Sequence, residues 1–435
     1  MTERSAILVA PYFPPSTLAG VHRMRHLSKH LPAAGWDPTV VCIDEKYHEE
    51  RLDPALAMLV PSHTKVVKVG ALPSGITRPL GFGDIGMRGF FQIRSAILRI
   101  AEQRRIDVVL ITGSPFYPML MAKTLRRAGI PVVLDFRDPW ASDWGEAQPT
   151  FSKVGLSHAI ATKLEPRVLR QASFVTSVSE IQNAKLAARY PWLDKDRMAA
   201  IPIGIDPQDF EPIRRSDSKA SNAYLDPKRI NLSYVGTFMP RTTEPMRALF
   251  RGLRLLKAEL PNLAQRLRLN FIGTSNQPND TDTYQVMPLA TKEGVADLVQ
   301  EVPQRVPYLD ALGILVNSNG LLLIGSDEIH YTASKIYPAL MSATPYLSIF
   351  HNKSSAHQIL SSVGGGLAFS FDGADELAKL APALARSLEQ LAFNPGSIGQ
   401  ADATAYAPYE ASAAARRFAD VFERAIRPMG VTAQD

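Results

Sequence analysis

Short apolar runs that alternate with helix-length stretches constrain the fold of this chain more than any other feature. Helical stretches at 21–34 and 118–128 separate apolar runs at residues 6–10, 38–43, 107–112 and 132–136. The runs are continuous in Val, Ile and Leu, which is typical of strands that are buried on both faces. Successive parallel strands need crossover connections, and these are usually helices. The pattern therefore predicts an α/β fold in which helices cover both faces of a parallel sheet.

The same pattern restarts in the second half of the chain. A helix is predicted at 243–259, and strands are predicted at 230–236, 267–273, 321–324 and 346–350. Between the two halves, residues 207–228 are rich in Asp, Ser, Pro and Arg, which is the composition of a linker. A length of 435 residues also exceeds what one ordinary core supports. Two hydrophobic cores are therefore expected.

We predict two Rossmann-like, doubly wound domains that face a cleft. Open α/β sheets bind ligands at the carboxyl ends of their strands, so a cleft between two such edges is the expected place for a site. The predicted first domain covers 1–207 and the second covers 208–405. The remaining residues, 406–435, contain a helix that is expected to pack back on the first domain.

Composition excludes several classes of protein. No apolar run approaches the roughly 18 residues of a membrane-spanning helix, and the first residues lack the basic and long apolar regions of a signal peptide. The single cysteine, Cys42, excludes internal disulfides and cysteine-based zinc clusters and fits a reducing compartment. The sequence shows no other metal-binding cluster. We expect a cytoplasmic protein without a bound metal.

The net charge of +6 is distributed unevenly, because residues 1–200 hold 26 Lys and Arg against 18 Asp and Glu. Such an excess favours an anionic membrane surface, a phosphorylated substrate or nucleic acid, or it marks a solvated face. Nucleic acid is disfavoured, since no zinc-finger spacing or basic-region heptad accompanies the charge. The membrane hypothesis predicts peripheral contact through arginines at Arg88, Arg94, Arg99, Arg104 and Arg105.

The loop after the first predicted strand is the first candidate site. Residues 11–20 contain Tyr12, several prolines and Gly20, and the following helix begins with basic residues that include Arg23. Proline and glycine let the backbone leave the sheet and return closely above it, and a helix start offers free amides to an anion. An ordinary βα loop is the alternative interpretation.

A second candidate lies where residues 134–140 deliver charge to the end of a buried strand. Asp135, Arg137 and Asp138 would be costly if they were dry and unpaired, so they are solvated, paired with one another or in contact with ligand. A structural Arg–Asp pair and a substrate contact both remain open. Trp140, next to them, is predicted to stack on a sugar, to dock on lipid or to pack as an aromatic lid on its own domain.

The second domain offers cations beside glycine and hydroxyl residues. Gly236 and Thr237 follow a predicted strand, and Arg241 nearby presents a fork that suits phosphate oxygens. Further along, Ser334 and Lys335 precede a predicted helix, where a lysine is a good counter-charge for a diphosphate. Taken singly, each cation is equally well explained as a surface residue.

In their order along the whole chain, these segments resemble the retaining glycosyltransferases of family 4, which have the GT-B fold, and in particular those that build bacterial surface polysaccharides. The resemblance is carried by ILVAPYFPPSTLAG, VLDFRDPW, VTSVSE, IPIGIDPQDF, YVGTF and TASKIYPAL. It implies a hexosyltransferase in which the second domain binds a nucleotide diphosphate sugar and the first binds a lipid-linked or polysaccharide acceptor. The resemblance also implies that the leaving diphosphate itself helps to remove the acceptor proton, so that neither an enzyme nucleophile nor a cofactor is required.

The resemblance also implies roles for particular residues. The implied catalytic residues are Arg137, Asp138 and Lys335. The implied donor-binding residues are Gly20, Gly236, Thr237, Arg241, Glu328, His330, Ser334 and Lys335. The implied acceptor-binding residues are Tyr12, Arg23 and Trp140.

Two positions depart from the family pattern. The glutamate that commonly binds the donor ribose is replaced by Pro338, and the glutamate eight residues before it is replaced by His330, which leaves Glu328 as a substitute. Proline offers no acceptor for the ribose hydroxyls. A catalytically weak or inactive protein that binds nucleotide or glycan in an assembly complex is therefore an alternative hypothesis, and a GT-B epimerase or phosphorylase is a third.

Overall fold

The computed structural model describes residues 4–215, 223–275, 281–327 and 334–427. The chain falls into two compact units. Unit 1 consists of Met1–Gly204 together with Ala411–Asp435, and unit 2 consists of Ile205–Glu410. Each unit is built around one parallel sheet.

Unit 1 contains a seven-stranded sheet. Its strands are β1 (Arg4–Val9), β2 (Trp36–Ile43), β3 (Lys65–Val69), β4 (Val108–Gly113), β5 (Val132–Phe136), β6 (Phe174–Ser177) and β7 (Met198–Ala200). Its helices up to residue 204 are α1 (Val21–His30), α2 (Pro54–Ala57), α3 (Ser74–Thr77), α4 (Ile85–Arg88), α5 (Phe90–Gln103), α6 (Ala122–Arg127), α7 (Asp143–Glu146), α8 (Lys153–Leu169) and α9 (Glu180–Arg189). The strand order is β3-β2-β1-β4-β5-β6-β7, and all neighbours are parallel. The order reverses between β1 and β4, which makes this the switch point of the sheet.

Unit 2 contains a six-stranded sheet. Its strands are β8 (Ile230–Val235), β9 (Leu267–Ile272), β10 (Val299–Val302), β11 (Gly320–Ile324), β12 (Tyr346–His351) and β13 (Gly366–Phe371). Its helices are α10 (Glu211–Arg215), α11 (Thr243–Glu259), α12 (Pro261–Ala264), α13 (Met287–Lys292), α14 (Tyr308–Asn317), α15 (Ile336–Met341), α16 (Ser355–Val363), α17 (Ala374–Lys379), α18 (Ala381–Phe393) and α19 (Ala403–Tyr406). The order β10-β9-β8-β11-β12-β13 is again parallel throughout and reverses between β8 and β11.

The cores explain why the strand sequences are continuously apolar. Along β1, Ile7 and Val9 belong to the hydrophobic cluster on the α5 side of the sheet, whereas Ala6 and Leu8 belong to the cluster on the α1 side. Successive side chains of a strand point to opposite faces, so a sheet covered on both sides has no face left for polar residues. The predicted fold class, two Rossmann-like α/β domains, is confirmed.

The last helix of the chain completes the core of unit 1. This helix, α20 (Ala411–Ile426), packs against α1. The ring of Phe422 meets the buried Trp36 edge-on at 5.0 Å between centroids, and Phe418 joins the same cluster. In the described parts of the chain, no helix has the length and apolarity needed to cross a bilayer.

Two predicted helices have different bounds in the structure. The stretch predicted as one helix over 21–34 ends at His30, and a short 3₁₀ turn, Pro32–Ala34, follows it. Proline lacks an amide hydrogen and clashes with the preceding turn, which is why the helix does not continue. The stretch at 118–128 begins as a 3₁₀ helix, Tyr117–Met121, before α6 starts.

Candidate functional site

A pocket of about 220 Å³ opens at the switch point of unit 1. The loops after β1, β4 and β5 line it with Ala10, Pro11, Tyr12, Leu18, Ala19, Gly20, Thr112, Ser114, Pro115, Arg137 and Asp138. Neighbouring loops of a parallel sheet separate on opposite faces where the strand order reverses, and this separation creates the crevice. Four residues predicted for the site, Tyr12, Gly20, Arg137 and Asp138, therefore lie together.

Arg137 is the central cation of this pocket. Its Nε donates to Oγ1 of Thr112 at 2.9 Å, and one terminal nitrogen donates to the carbonyl oxygen of Ser114. Its other terminal nitrogen has no hydrogen-bond partner among the residues that the structure describes. Burial lowers the pKa of the Arg137 guanidinium, although the carboxylates of Asp135 and Asp138 act in the opposite direction. The group stays charged at neutral pH and can accept an anion.

Gly20 leaves room for the guanidinium of Arg137, which approaches it closely. Its backbone has φ −63° and ψ −21°, which any residue can adopt. A Cβ atom at this position would, however, lie 2.6 Å from Cζ of Arg137. The glycine thus lets the guanidinium sit directly against the chain at the start of α1.

The structure corrects the acceptor role predicted for Arg23. This side chain is 3% exposed, and its Nε lies 3.3 Å from Oδ2 of the fully buried Asp135. One terminal nitrogen donates to the carbonyl oxygen of Ile201 at 2.7 Å, and the guanidinium lies over the ring of Phe418. Arg23 is absent from the pocket lining. It therefore compensates a buried charge inside unit 1 and does not reach a ligand there.

Asp135 resolves the question of the charged strand end. It accepts from Thr112 and Thr176 at 2.9 Å each, in addition to its ion pair with Arg23. A buried carboxylate with this many partners is satisfied without a ligand. The Arg–Asp pair at the strand end is thus formed by Arg23 and Asp135, and Arg137 remains directed at the pocket.

Asp138 and Tyr12 line the pocket wall. Asp138 keeps contact with solvent, yet the surrounding protein desolvates its carboxyl group and raises its pKa, an effect that Arg137 partly offsets. Burial and the nearby carboxylate of Glu50 raise the pKa of Tyr12, so this phenol stays protonated at neutral pH. The ring of Tyr12 meets His48 edge-on at 5.2 Å.

Trp140 packs on its own unit. Its ring stacks on Phe116 at 5.3 Å between centroids and meets Tyr117 edge-on at 6.0 Å. Trp140 is not part of the pocket lining. Among the interpretations of this residue, the structure favours the aromatic lid, because Phe116 covers one face of the indole.

A second cation occupies the switch point of unit 2. The Nζ of Lys335 donates to Oη of Tyr234 at 2.9 Å and to the carbonyl oxygen of Thr237 at 2.6 Å. It also lies 4.7 Å from the centre of the Tyr234 ring. Gly236 has φ 135°, a conformation open to glycine, and a Cβ there would lie 2.7 Å from Nζ of Lys335.

The amine of Lys335 is held by neutral oxygens. In the described part of the chain it forms no ion pair with a carboxylate. Burial lowers the pKa of Lys335 to about 7. An anionic ligand beside this amine would stabilise its charged form and restore its charge.

Arg241 lies at the same edge of the sheet but is paired. It belongs to the 3₁₀ helix Pro240–Thr242, and its Nε donates to Oδ1 of Asp327 at 2.5 Å. The backbone amide of Asp327 also donates to the carbonyl oxygen of Arg241. Both side chains are more than half exposed, so the pair joins the loops after β8 and β11 at the surface.

The other residues predicted to bind the donor differ in how close they lie to Lys335. Thr237 contributes its carbonyl oxygen to Lys335, and Ser334 is exposed next to that lysine in sequence. Pro338 lies within α15. Glu328 and His330 lie outside the described residues.

Sequence reasoning missed some residues that build these sites. Thr112, Ser114 and Pro115 line the pocket of unit 1, and Tyr234 holds Lys335 in unit 2. The available signal was the run of small and hydroxyl residues directly after β4, since β4 is the strand next to β1. Among the described residues, no group of three His, Cys, Asp or Glu side chains is arranged to hold a metal ion.

Most of the arginines predicted to contact a membrane form hydrogen bonds or ion pairs within the protein. Arg88 is buried, and it donates to the carbonyl oxygens of Leu72 and Tyr47. Arg104 pairs with Asp37, and Arg105 pairs with Asp107. These three do not form a free basic face, which corrects the prediction; Arg94 and Arg99 form no ion pair with a described carboxylate.

Comparison with known proteins agrees with this architecture. Residues 19–204 match the model of the glycosyl transferase 4-like domain. No curated protein sequence matches the chain. HepE of Anabaena, solved with UDP and glucose, is similar in structure, with 12% identity, a TM-score of 0.59, and 97% of this chain and 99% of that chain covered.

Two further solved structures share the fold. A glycosyltransferase from Rickettsia africae has 14% identity and a TM-score of 0.58 and covers 99% of this chain and 100% of its own. A UDP-forming α,α-trehalose-phosphate synthase from Burkholderia xenovorans has 12% identity and a TM-score of 0.63, and the match covers 98% of this chain and 100% of the synthase chain. The likeness extends over the whole length and establishes the GT-B fold for both units.

Proposed function

We propose that this chain, a glycosyltransferase by its matched domain and its GT-B fold, transfers a sugar with retention from a nucleotide diphosphate sugar to a lipid-linked or polysaccharide acceptor. The reaction would serve the synthesis of exopolysaccharide, capsule or lipopolysaccharide at the cytoplasmic face of the membrane. The observation that carries the proposal is Lys335, a cation that has only neutral oxygen partners in the described residues and lies at the switch point of unit 2.

The donor diphosphate is assigned to unit 2. Gly236 leaves the backbone open beside Nζ of Lys335, so phosphate oxygens can approach both the amine and the amides of this turn. Two structural neighbours were solved with UDP or are named as UDP-forming. UDP-sugars are therefore the first donors to test.

The acceptor is assigned to unit 1. The pocket there combines the free terminal nitrogen of Arg137, the carboxyl group of Asp138 and the phenol of Tyr12. A hydroxyl-rich sugar suits this mixture of donors and acceptors, and the charge of Arg137 also suits a phosphate on the acceptor.

Catalysis then rests on charge stabilisation and orientation. As the glycosidic bond breaks, negative charge grows on the departing diphosphate, and Lys335 would neutralise it. Arg137 and Asp138 would orient the acceptor hydroxyl for attack. No protein nucleophile enters this scheme, since the leaving phosphate takes up the acceptor proton.

Lys335→Met tests the donor assignment, because methionine keeps the length of the side chain and removes its charge. Released nucleotide is measured with a panel of UDP-, GDP- and dTDP-sugars in the presence of membrane extract. We expect turnover to fall at least about a hundredfold, which is the usual scale for removing one stabilising group from a developing anion. Lys379→Met is the matched control, because Lys379 is an exposed lysine on α17 of the same unit.

The proposal fails in its enzymatic form if the wild-type chain releases nucleotide from no sugar of the panel. One observation favours the alternative of a non-catalytic binding partner, namely Pro338 at the position of the ribose-binding glutamate. In that case UDP or GDP would still raise the melting temperature while no product forms. Product formation by the wild type excludes the alternative.

A further inference from the structure

Exposed large apolar side chains are concentrated in unit 1. Within the described residues, ten of the twelve such side chains lie there, and only Met239 and Tyr284 lie in unit 2. Eight of the ten come from two short segments, which contribute Leu72, Ile76, Leu80, Phe82 and Phe91, and Phe151, Leu156 and Ile160. A monomeric protein surface seldom concentrates large apolar groups in this way without a partner.

The first segment, residues 72–91, is a closed excursion from the sheet. Two hydrogen bonds hold its two ends together. The amide of Leu72 donates to the carbonyl oxygen of Arg88 at 3.0 Å, and Nε of Arg88 donates to the carbonyl oxygen of Leu72 at 2.8 Å. The excursion carries Ile76, Leu80 and Phe91 with 66%, 67% and 62% of their surface exposed. Its buried arginine thus holds the loop in place while the apolar side chains point outward.

The second segment, residues 151–167, leads into and along α8. Phe151 is fully exposed, and Leu156 and Ile160 follow one helical turn apart on the outer face of α8. Both segments are held by the same support, since α4, α5 and α8 all pack against the 3₁₀ helix Tyr117–Met121. The two apolar segments therefore belong to elements that meet at this 3₁₀ helix of unit 1.

Unpaired cations accompany the apolar side chains. Arg94 and Arg99 on α5, and Lys153, Lys163 and Arg167 on α8, form no ion pair with a carboxylate in the described parts of the chain. The guanidinium of Arg94 lies 5.3 Å from the centre of the Phe91 ring, so charge and apolar surface are interleaved. Apolar side chains bordered by cations are the combination that binds the interface of an anionic bilayer.

The first segment, residues 72–91, adjoins the pocket of unit 1. A Cβ on Gly86, in α4, would lie 3.0 Å from Cβ of Pro115 and 2.7 Å from Cδ of Pro118. Pro115 lines the pocket. The excursion is thus packed directly on a pocket wall, which is where the lipid end of a membrane-bound acceptor would have to reach.

We propose that residues 72–91 and 151–167 form a docking surface for an anionic lipid bilayer, which holds the pocket of unit 1 beside a lipid-linked acceptor. The second half of this statement rests on the proposed function, and the first does not. A second copy of the chain fits the surface less well, because a two-fold contact would bring the same unpaired cations against each other.

Vesicle co-sedimentation of the full chain without nucleotide tests the surface. Vesicles of phosphatidylglycerol mixed with phosphatidylcholine are compared with vesicles of phosphatidylcholine alone. The variants are Phe82→Ser with Phe91→Ser, and as matched control Met58→Ser with Tyr284→Ser, which remove exposed apolar side chains outside the two segments. A second pair, Lys153→Gln with Lys163→Gln, removes charge only.

We expect the wild type to sediment with the anionic vesicles and the Phe82/Phe91 variant to bind at least about tenfold more weakly, since each buried ring contributes substantially to partitioning. The control should bind like the wild type. The Lys153/Lys163 variant should bind anionic vesicles more weakly and lose part of the salt dependence. Unchanged urea midpoints, followed by far-ultraviolet circular dichroism of both units, show that the variants are folded.

Three results would overturn the proposal. The wild type fails to bind anionic vesicles, or the Phe82/Phe91 variant binds them as well as the wild type does, or light scattering shows a wild-type dimer that this variant converts to a monomer. The last result identifies the surface as a contact between copies. Nucleotide release measured in parallel separates the two proposals, because vesicle binding without turnover contradicts only the transferase, and turnover without vesicle binding contradicts only the surface.

Discussion

Replacing Gly20 with alanine tests the close approach on which the pocket of unit 1 is built. The backbone conformation at Gly20 is open to alanine, so the substitution introduces no backbone strain. The new Cβ would lie 2.6 Å from Cζ of Arg137, however, and the guanidinium has to move. We expect this displacement to break the hydrogen bonds from Arg137 to Thr112 and Ser114.

The expected cost follows from these two bonds. A hydrogen bond from a charged donor contributes about 1.5–3 kcal/mol, and the displaced guanidinium of Arg137 recovers part of this from water because it is half-buried. Alanine is also a poorer residue than glycine at the N-terminal cap of a helix, by up to about 1 kcal/mol. We expect Gly20→Ala to destabilise unit 1 by about 2–4 kcal/mol.

A double-mutant cycle isolates the contact. In the background of Arg137→Ala there is no guanidinium to displace, so Gly20→Ala should cost only the capping term, at most about 1 kcal/mol. The coupling between the two positions should then be about 2 kcal/mol. Gly75→Ala, in α3 of unit 1, is the control, because a Cβ there would meet no atom within 4 Å.

Urea unfolding followed by tryptophan fluorescence is the suitable assay. All four tryptophans, Trp36, Trp140, Trp144 and Trp192, lie in unit 1, so the signal reports on this unit and not on unit 2. The reasoning is refuted if the two substitutions are additive within about 0.5 kcal/mol.

The stability of unit 2 should increase as the pH rises, because the pKa of Lys335, about 7, lies below that of a free lysine. Between about pH 7 and 10 the unfolded state therefore binds more protons than the folded state does. The melting temperature of the wild type relative to Lys335→Met should climb across this window, and a flat difference would contradict the lowered pKa. Binding of UDP at about pH 8 should take up a proton at the same amine, seen in calorimetry as a heat that depends on the ionisation enthalpy of the buffer. Arg23→Met should destabilise unit 1 by about 3–5 kcal/mol in the tryptophan assay, because Asp135 is left buried and unpaired; a loss below about 1 kcal/mol would show that Asp135 is solvated. Arg241→Ala should change stability by less than about 1 kcal/mol, since its pair with Asp327 is exposed, so a raised KM for the donor would reveal a phosphate contact and an unchanged KM a surface pair.

The fold was predictable because the residues of each buried strand are apolar at successive positions, and such a run is visible in the local sequence. The alternating environments of Ile7 and Leu8 in β1 require apolar residues at every position, and a run of this kind is visible without knowledge of its neighbours. Element ends were less accessible, since the end of α1 depends on Pro32 whereas the start of α6 depends on a 3₁₀ turn that no residue pattern marked.

The roles of the two arginines in unit 1 were not predictable from the sequence. Arg23 and Arg137 both follow a strand in the sequence, and the carboxylate of Asp135 lies near both of them in the structure. Which of them pairs with Asp135 depends on the placement of α1 over the sheet, a relation between residues far apart in the chain. The sequence could establish only that the carboxylate needed a partner.

The switch points of the two units share one physical arrangement, but their cations respond differently to a ligand. In each unit a glycine lets a cation lie against the backbone, Gly20 beneath Arg137 and Gly236 beside Lys335, and each cation donates to uncharged oxygens. Arginine remains charged whatever binds, so Arg137 offers a constant field to its pocket. The amine of Lys335, with its pKa lowered to about 7, is only partly charged at neutral pH, and a bound anion increases its charged fraction. A group whose charge follows its ligand suits a diphosphate that has to be held during transfer and then released, and this assigns the leaving group to Lys335 in our proposal.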